Sequence, residues 1–380
     1  MSLSFALAPE QKEFRTVVAD FADKVIAPVA DEINAEGRFP VDIVRQMAEM
    51  GLFGIPFDER YDGMGGDLLT LCLAIEEIGR VDQSLGITLE AAVGLGAAPL
   101  DRFGTDDQKE RWLPALCRGE RLGAFGLSEP GGGSDNLGGT TTRAVRDGDD
   151  WVINGSKVFI TNAGTELTSI ITVTAWTDDD ELTAIIVPAD TPGLTVAPPY
   201  RKVGWHASDT RELAFSDMRV PIANTLGEVG AGFRQLLQIL DDGRIAIAAL
   251  ATGMIQGCVD ECVRYARERT AFGRPIGEHQ AIAFKIADLE VAAQASRHLY
   301  HNAAWRRSQG LPYKKEASIA KLYSSEQAVT AAREATQIFG GSGFMTESRV
   351  GRFYQDAKVL EIGEGTSEIQ RILIARELGL

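Results

Sequence analysis

The spacing of apolar residues changes twice along this chain, and those two changes restrict its fold more than any single motif. Up to about residue 120 the apolar positions recur at three- and four-residue steps. Phe14, Val17, Val18, Phe21, Val25 and Ile26 make the first such stripe, the pattern of an amphipathic helix. Pro28 bends or ends it. Further helices are predicted over 41–50, with Gly51 as the stop, and over 69–78. Thr105-Asp106-Asp107-Gln108 has the form of a capping box opening another through Leu116. After Gly123 the pattern becomes short β-branched and aromatic runs over 150–153, 157–161, 169–174, 182–187 and 212–215. Asn154-Gly155 between the first two predicts a hairpin turn. From about Gly230 long helical patterns return over 233–267, 280–307 and 315–339, suited to a bundle of antiparallel rods. The expectation is an α+β fold in three parts: an N-terminal α-helical domain over 1–121, a middle antiparallel β domain over 122–228, and a C-terminal helical bundle over 229–380. Strands and helices do not alternate, which argues against a doubly wound nucleotide-binding sheet.

The formal net charge of -16 over 380 residues argues against a nucleic-acid surface or an anionic membrane surface, since both require clustered Lys and Arg. The four cysteines are scattered, and only Cys258 and Cys262 share a helical face; no disulfide framework or zinc set follows. His298 and His301 have helical metal spacing but no carboxylates beside them, so a structural role is expected. The Met1–Phe5 segment lacks the basic and apolar runs of a leader, no window is expected to reach membrane-span length, and the expected location is cytoplasmic.

Chemistry concentrates near the end of the chain. Glu364 stands between Gly363 and Gly365, where the flanking backbone can take conformations closed to other residues and admit a substrate closely. That suits a catalytic base. On local sequence alone the commoner reading is the acidic first turn of a last helix opening at Thr366-Ser367-Glu368. A second candidate is the loop Phe125-Gly126-Leu127-Ser128-Glu129-Pro130-Gly131-Gly132-Gly133-Ser134, which presents backbone N–H groups and hydroxyls to an anionic or heteroaromatic ligand.

That loop, then Phe159-Ile160-Thr161, Arg269-Thr270-Ala271-Phe272-Gly273, Gln337-Ile338-Phe339-Gly340-Gly341 and Glu364-Gly365-Thr366, resemble in order and spacing the acyl-CoA dehydrogenase family of FAD flavoproteins, over essentially the whole chain. The resemblance implies a C-terminal four-helix bundle and a homotetramer built as a dimer of dimers. It implies FAD between the β domain and the bundle, held by Phe125, Leu127, Ser128, Gly133, Ser134, Phe159, Ile160 and Thr161. Arg269 would pair with the pyrophosphate, as a guanidinium favours. Phe272, Gln280, Gln337, Ile338, Gly340 and Gly341 would meet the same cofactor across a subunit boundary, and Thr366 and Glu368 would complete the set.

The implied reaction is α,β-dehydrogenation of a saturated acyl-CoA thioester to the trans-2-enoyl-CoA, in fatty acid or amino acid catabolism, with electrons passed to an electron-transferring flavoprotein. Glu364 would take the α proton, while its backbone N–H and a ribityl hydroxyl would hold the thioester oxygen. Ser134, Asp241 and Arg244 would face the CoA end and Gly365 the acyl part. The acid that some members carry on another helix is here Gly243. Gly363 replaces a bulky aromatic common in straight-chain enzymes, which predicts room for branched acyl groups. The segment 135–142 looks about one residue longer than the family pattern. An oxygen-using acyl-CoA oxidase and a silent subunit on the same scaffold are the alternatives.

Overall fold

The structure is a computed structural model that describes residues 7–177 and 181–380; the Met1–Phe5 expectation falls outside them. The N-terminal part is helical throughout. Its helices are α1 Pro9–Phe21, α2 Ala30–Glu36, α3 Val41–Glu49, α4 Leu68–Val81, α5 Gln83–Glu90, α6 Ala98–Phe103 and α7 Asp106–Cys117. Gly51 ends the third with φ 75°, and Thr105 caps the seventh through the expected box with Gln108. Beyond α5 the helix widens into a π-helical stretch over Ala91–Ala97.

The β domain holds β1 Leu122–Gly126, β2 Arg143–Asp147, β3 Asp150–Thr161, β4 Thr168–Trp176, β5 Leu182–Pro188, β6 Leu194–Val196 and β7 Thr210–Pro221. Most pairs are antiparallel, but β1 runs parallel to β4, so the expected all-antiparallel domain is corrected to a mixed sheet. The expected hairpin at Asn154-Gly155 is also wrong. β3 runs straight through it, with a bulge between Ile153 and Gly155, and the turn from β2 into β3 falls at Gly148 instead. The physical reason is local. Gly155 takes φ 147°, a Cβ there would overlap the Thr142 side chain, and Asn154 hydrogen-bonds Asp217 on β7 rather than closing a turn.

The C-terminal part comprises α8 Gly232–Glu268, α9 Gln280–Ser308, α10 Lys314–Phe339, α11 Arg349–Ala357 and α12 Ser367–Glu377, with a two-stranded β8–β9 hairpin (Thr270–Ala271, Arg274–Pro275) between α8 and α9. Against expectation, α8 is long and apolar enough to cross a membrane by length and composition. Yet 89% of its apolar window is buried inside the protein, because α4, α9 and α10 all pack on it. One apolar core joins the N-terminal helices to this bundle and a second fills the β domain.

Buried charge pins the parts together. Glu76 on α4 accepts hydrogen bonds from Arg15 on α1 and from Arg297 and Tyr300 on α9. Burial raises its proton affinity, but Arg297 and Arg15 outweigh that and hold it below the ordinary value. His301 bonds the Tyr300 hydroxyl and is pushed down to about 4 by burial. Among the described residues no metal-binding cluster exists.

Candidate active site

Glu364 lies in the turn between the 3₁₀ segment Lys358–Glu361 and α12. Its backbone takes φ 52° and Gly365 follows with φ 92°, so two successive residues are left-handed, unusual for a glutamate. Two side chains hold this turn. Lys321 Nζ on α10 donates to the Gly365 carbonyl at 2.8 Å, and Gln370 Nε2 on α12 donates to the same oxygen at 2.8 Å and to the Glu364 carbonyl at 3.3 Å. Thr366 Oγ1 caps α12 by accepting from the Ile369 N–H at 3.4 Å. The Glu364 N–H donates no hydrogen bond among the described residues, leaving it available to a substrate oxygen.

The carboxylate turns inward, with Oε2 buried and unsatisfied. Gly243 on α8 makes the space, since a Cβ built there would overlap Glu364 Oε2. The glycine at the position of the alternative acid is thus also the reason Glu364 fits. Beside it Arg244 is buried, pairs with Asp241, and keeps Nε without a partner. The ion pair is therefore largely interior rather than a solvated surface pair. Burial lowers the proton affinity of Arg244 and raises that of Asp241.

The residue that sequence reasoning missed is Glu90, the last residue of α5. It is fully buried beside Glu364, and neither of its carboxyl oxygens has a hydrogen-bond partner among the described residues. Two carboxyl groups can bond only if one carries a proton. Burial, then the neighbouring Glu364, pushes Glu90 well above the ordinary carboxylate range. Burial also raises Glu364, while the bond from Glu90 and the charges of Arg244 and Lys321 oppose the rise. Both carboxyls are thus raised, Glu90 further than Glu364, and the two titrate as a pair. The sequence signal was an isolated acid in the apolar run Leu85-Gly86-Ile87-Thr88-Leu89-Glu90-Ala91-Ala92-Val93. Lys321 and Gln370 were missed too; Lys321 falls on the small-residue stripe of Ala317, Ala320, Ser324 and Ala328.

The flavin-side residues form a second group. Phe125 is on β1, Leu127 and Ser128 follow it, and Phe159, Ile160 and Thr161 end β3; the two segments are joined by the Val158 N–H donating to the Ser128 carbonyl at 2.9 Å. Phe159 has φ 63° and is 69% exposed. Ile160 is buried in the β core, so its side chain packs rather than faces a ligand. A buried Lys157–Glu129 ion pair of 2.7 Å underlies this loop, with Glu129 accepting from Thr141 and Thr142 and Lys157 donating to the Leu127 carbonyl. Gly133 and Ser134 are exposed farther along it. Asn162, next after β3, donates to the Thr88 carbonyl at 3.1 Å, which brings this group to the helix that ends in Glu90.

A third group sits apart. Arg269 closes α8 exposed and without an ion pair among the described residues, Phe272 has φ 51° and is 96% exposed, and Gln280 opens α9. The end of α10 joins it through Tyr265 stacked on Phe339 at 4.1 Å. There Gln337, Gly340 and Gly341 are exposed while Ile338 is buried in the bundle. No hydrogen bond or ring contact among the described residues links this group to Phe159 or Ser128.

These residues fit FAD on their chemistry. The hydroxyls of Ser128, Ser134 and Thr161 have no protein partner among the described residues, Phe159 is largely exposed with Tyr200 tilted beside it at 5.5 Å, and Arg269 offers a guanidinium without an ion pair for phosphate.

Comparison with known proteins agrees. Residues 8–120, 124–218 and 230–379 match the N-terminal, middle and C-terminal domains of acyl-CoA dehydrogenase. The chain is 49% identical to the probable acyl-CoA dehydrogenase YngJ of Bacillus subtilis, over 99% of this chain and 100% of that protein. It superposes with TM-score 0.96 and 39% identity on a chain from a structure described as the electron transferring flavoprotein of Acidaminococcus fermentans, covering 99% of each. An acyl-CoA dehydrogenase of Bacillus anthracis complexed with FAD matches with TM-score 0.93 and 31% identity, over 98% of this chain and 67% of that one. The chain belongs to the acyl-CoA dehydrogenase family, FAD-dependent oxidoreductases that act on a CH–CH bond to convert an acyl-CoA into an enoyl-CoA.

Proposed function

We propose that Glu364 is the base that removes the α proton of the acyl thioester in this enzyme. The observation that carries the reading is the inward carboxylate in the space left by Gly243, with Oε2 buried and unpartnered. Loss of hydration raises its proton affinity and so strengthens it as a base. The free Glu364 N–H is placed to donate to the thioester oxygen as charge builds there. Arg244 and Asp241 face the CoA side, and Gly365 leaves the acyl group room to approach. FAD, when bound, accepts the β hydride. An electron-transferring flavoprotein is the physiological acceptor on this reading.

The same reading gives the exposed Arg269–Phe272 and Gln337–Gly341 group its purpose. In a homotetramer built as a dimer of dimers, a second copy of the chain brings this group to its neighbour's cofactor, covering Phe272, which is 96% exposed. The open side of Gly363, where a Cβ would meet nothing closer than the Val359 carbonyl at 3.4 Å, supports acceptance of branched acyl groups.

The test is anaerobic bleaching of the purified yellow protein by short, medium and branched acyl-CoAs, with reoxidation followed in air. Bleaching by branched as well as straight chains and slow reoxidation are expected. A colourless protein that takes up no FAD would overturn the assignment, and reaction with straight chains alone would remove the role of Gly363.

A further inference from the structure

We propose that Lys321 is a positioning residue for proton abstraction: its ammonium grips the left-handed turn that carries Glu364 and supplies the positive charge against which that carboxylate stays ionised. The inference rests on Glu364 being the base. Lys321 is fully buried, its Nζ donates to the Gly365 carbonyl at 2.8 Å, and it makes no ion pair among the described residues. A buried ammonium with one carbonyl partner is unfavourable on packing grounds alone. Leucine or methionine would fill the Ala317, Ala320, Ser324 and Ala328 stripe without that penalty, so packing does not explain a lysine there.

The charged groups facing the turn are few. Glu90 comes from α5, Asp241 and Arg244 from α8, Lys321 and Glu326 from α10, and Glu361 from the preceding 3₁₀ segment. Arg244 is paired with Asp241, and its charge also favours ionised Glu364. Lys321 is the second cation at Glu364, and among the described residues it has no carboxylate of its own. Burial pulls it down to about 8, and the charge of Glu364 opposes that fall. The influence is mutual, since Lys321 favours ionised Glu364. It also stabilises, through the Gly365 carbonyl, the two left-handed residues that aim the base.

The test uses the FAD-loaded enzyme with Lys321→Met and Lys321→Gln, which remove the charge, and Lys321→Arg, which keeps it. The readouts are FAD content and the pH profile of anaerobic flavin reduction by an acyl-CoA, with Glu364→Gln alongside. Removing the cation raises the proton affinity of the base, so the ascending limb should move up by about one pH unit, roughly tenfold in rate below the limb. Lys321→Arg should bring it back toward the wild-type position. An unmoved limb in both uncharged variants, with the rate lowered equally at every pH, would overturn the proposal. So would loss of FAD from all three variants, which would assign Lys321 to bundle packing. If Glu364→Gln still reduces flavin, the base reading itself fails; if it is inactive and the limb is unmoved, only the role of Lys321 fails.

Discussion

Replacing Glu90 separates its two contributions, a hydrogen-bond donor to Glu364 and an ionisable group. A protonated Glu90 would donate to the Glu364 carboxylate, in a site where neither Glu90 oxygen nor Glu364 Oε2 has a hydrogen-bond partner among the described residues. A hydrogen bond to a charged group contributes about 1.5–3 kcal/mol, and each pH unit corresponds to about 1.4 kcal/mol. Glu90→Leu, which deletes the donor, should therefore move the ascending limb of kcat/KM upward by about 1–2 pH units. Glu90→Gln presents an amide N–H₂ in place of the acidic proton and should leave that limb near its wild-type position. Stability supplies an independent readout. The folded-state affinity of Glu90 for a proton lies above its unfolded value, so its contribution to stability is complete below the ordinary carboxylate range and is lost as pH rises through the folded value. Glutamine never ionises, and Glu90→Gln should gain in Tm over the wild type on going from pH 5 to pH 8. The assays are stopped-flow anaerobic flavin reduction and thermal melts of the FAD-loaded protein. Profiles of both variants that superimpose on the wild type, or a limb that moves down in Glu90→Leu, would refute the shared-proton argument.

Three further outcomes follow from named contacts. Gly243→Ala places a methyl group where Glu364 Oε2 lies and should lower kcat about 100-fold by displacing the base, with FAD content unchanged; retained turnover would show that the carboxylate works from elsewhere. Asp356 accepts from the Trp205 N–H at 2.6 Å and is pushed up to about 7 by burial, so its stabilising contribution is lost as pH rises through that value. Asp356→Asn should then melt progressively higher relative to wild type between pH 5 and pH 8, and the opposite trend would contradict the sign. Lys157→Met breaks the buried pair beneath the flavin-side loop and should cost about 3–5 kcal/mol by denaturant unfolding, with loss of FAD; a neutral effect would show that Glu129 is satisfied by Thr141 and Thr142 alone.

The three-part plan was legible because hydrophobic spacing switches from helical to strand-like and back at glycine-marked junctions, and helix ends such as Thr105 and Gly51 carry their own capping chemistry. Local signals failed where a distant contact decides the backbone. Asn154-Gly155 reads as a turn until Thr142 and Asp217 are seen to hold it inside β3. β1 escaped notice because two of its five residues are glycines, and its parallel pairing with β4 is set across the sheet. In the site, Glu364 could be read from its flanking glycines together with the ordered motifs. Glu90 and Lys321 could not, because each is an ordinary charge on its own helix and gains meaning only when α5, α8, α10 and the turn before α12 converge. Asp241 and Arg244 show the same limit, since the burial of their ion pair is set by the packing around α8.

The central claim, that Glu364 abstracts the proton, is tested most directly by Glu364→Gln in anaerobic titration with an acyl-CoA that bleaches the wild-type flavin. Glutamine preserves size and the backbone turn but cannot accept the α proton. The account predicts a yellow variant that still binds the acyl-CoA, seen as a perturbed flavin spectrum, yet does not bleach. Bleaching at the wild-type rate would contradict it.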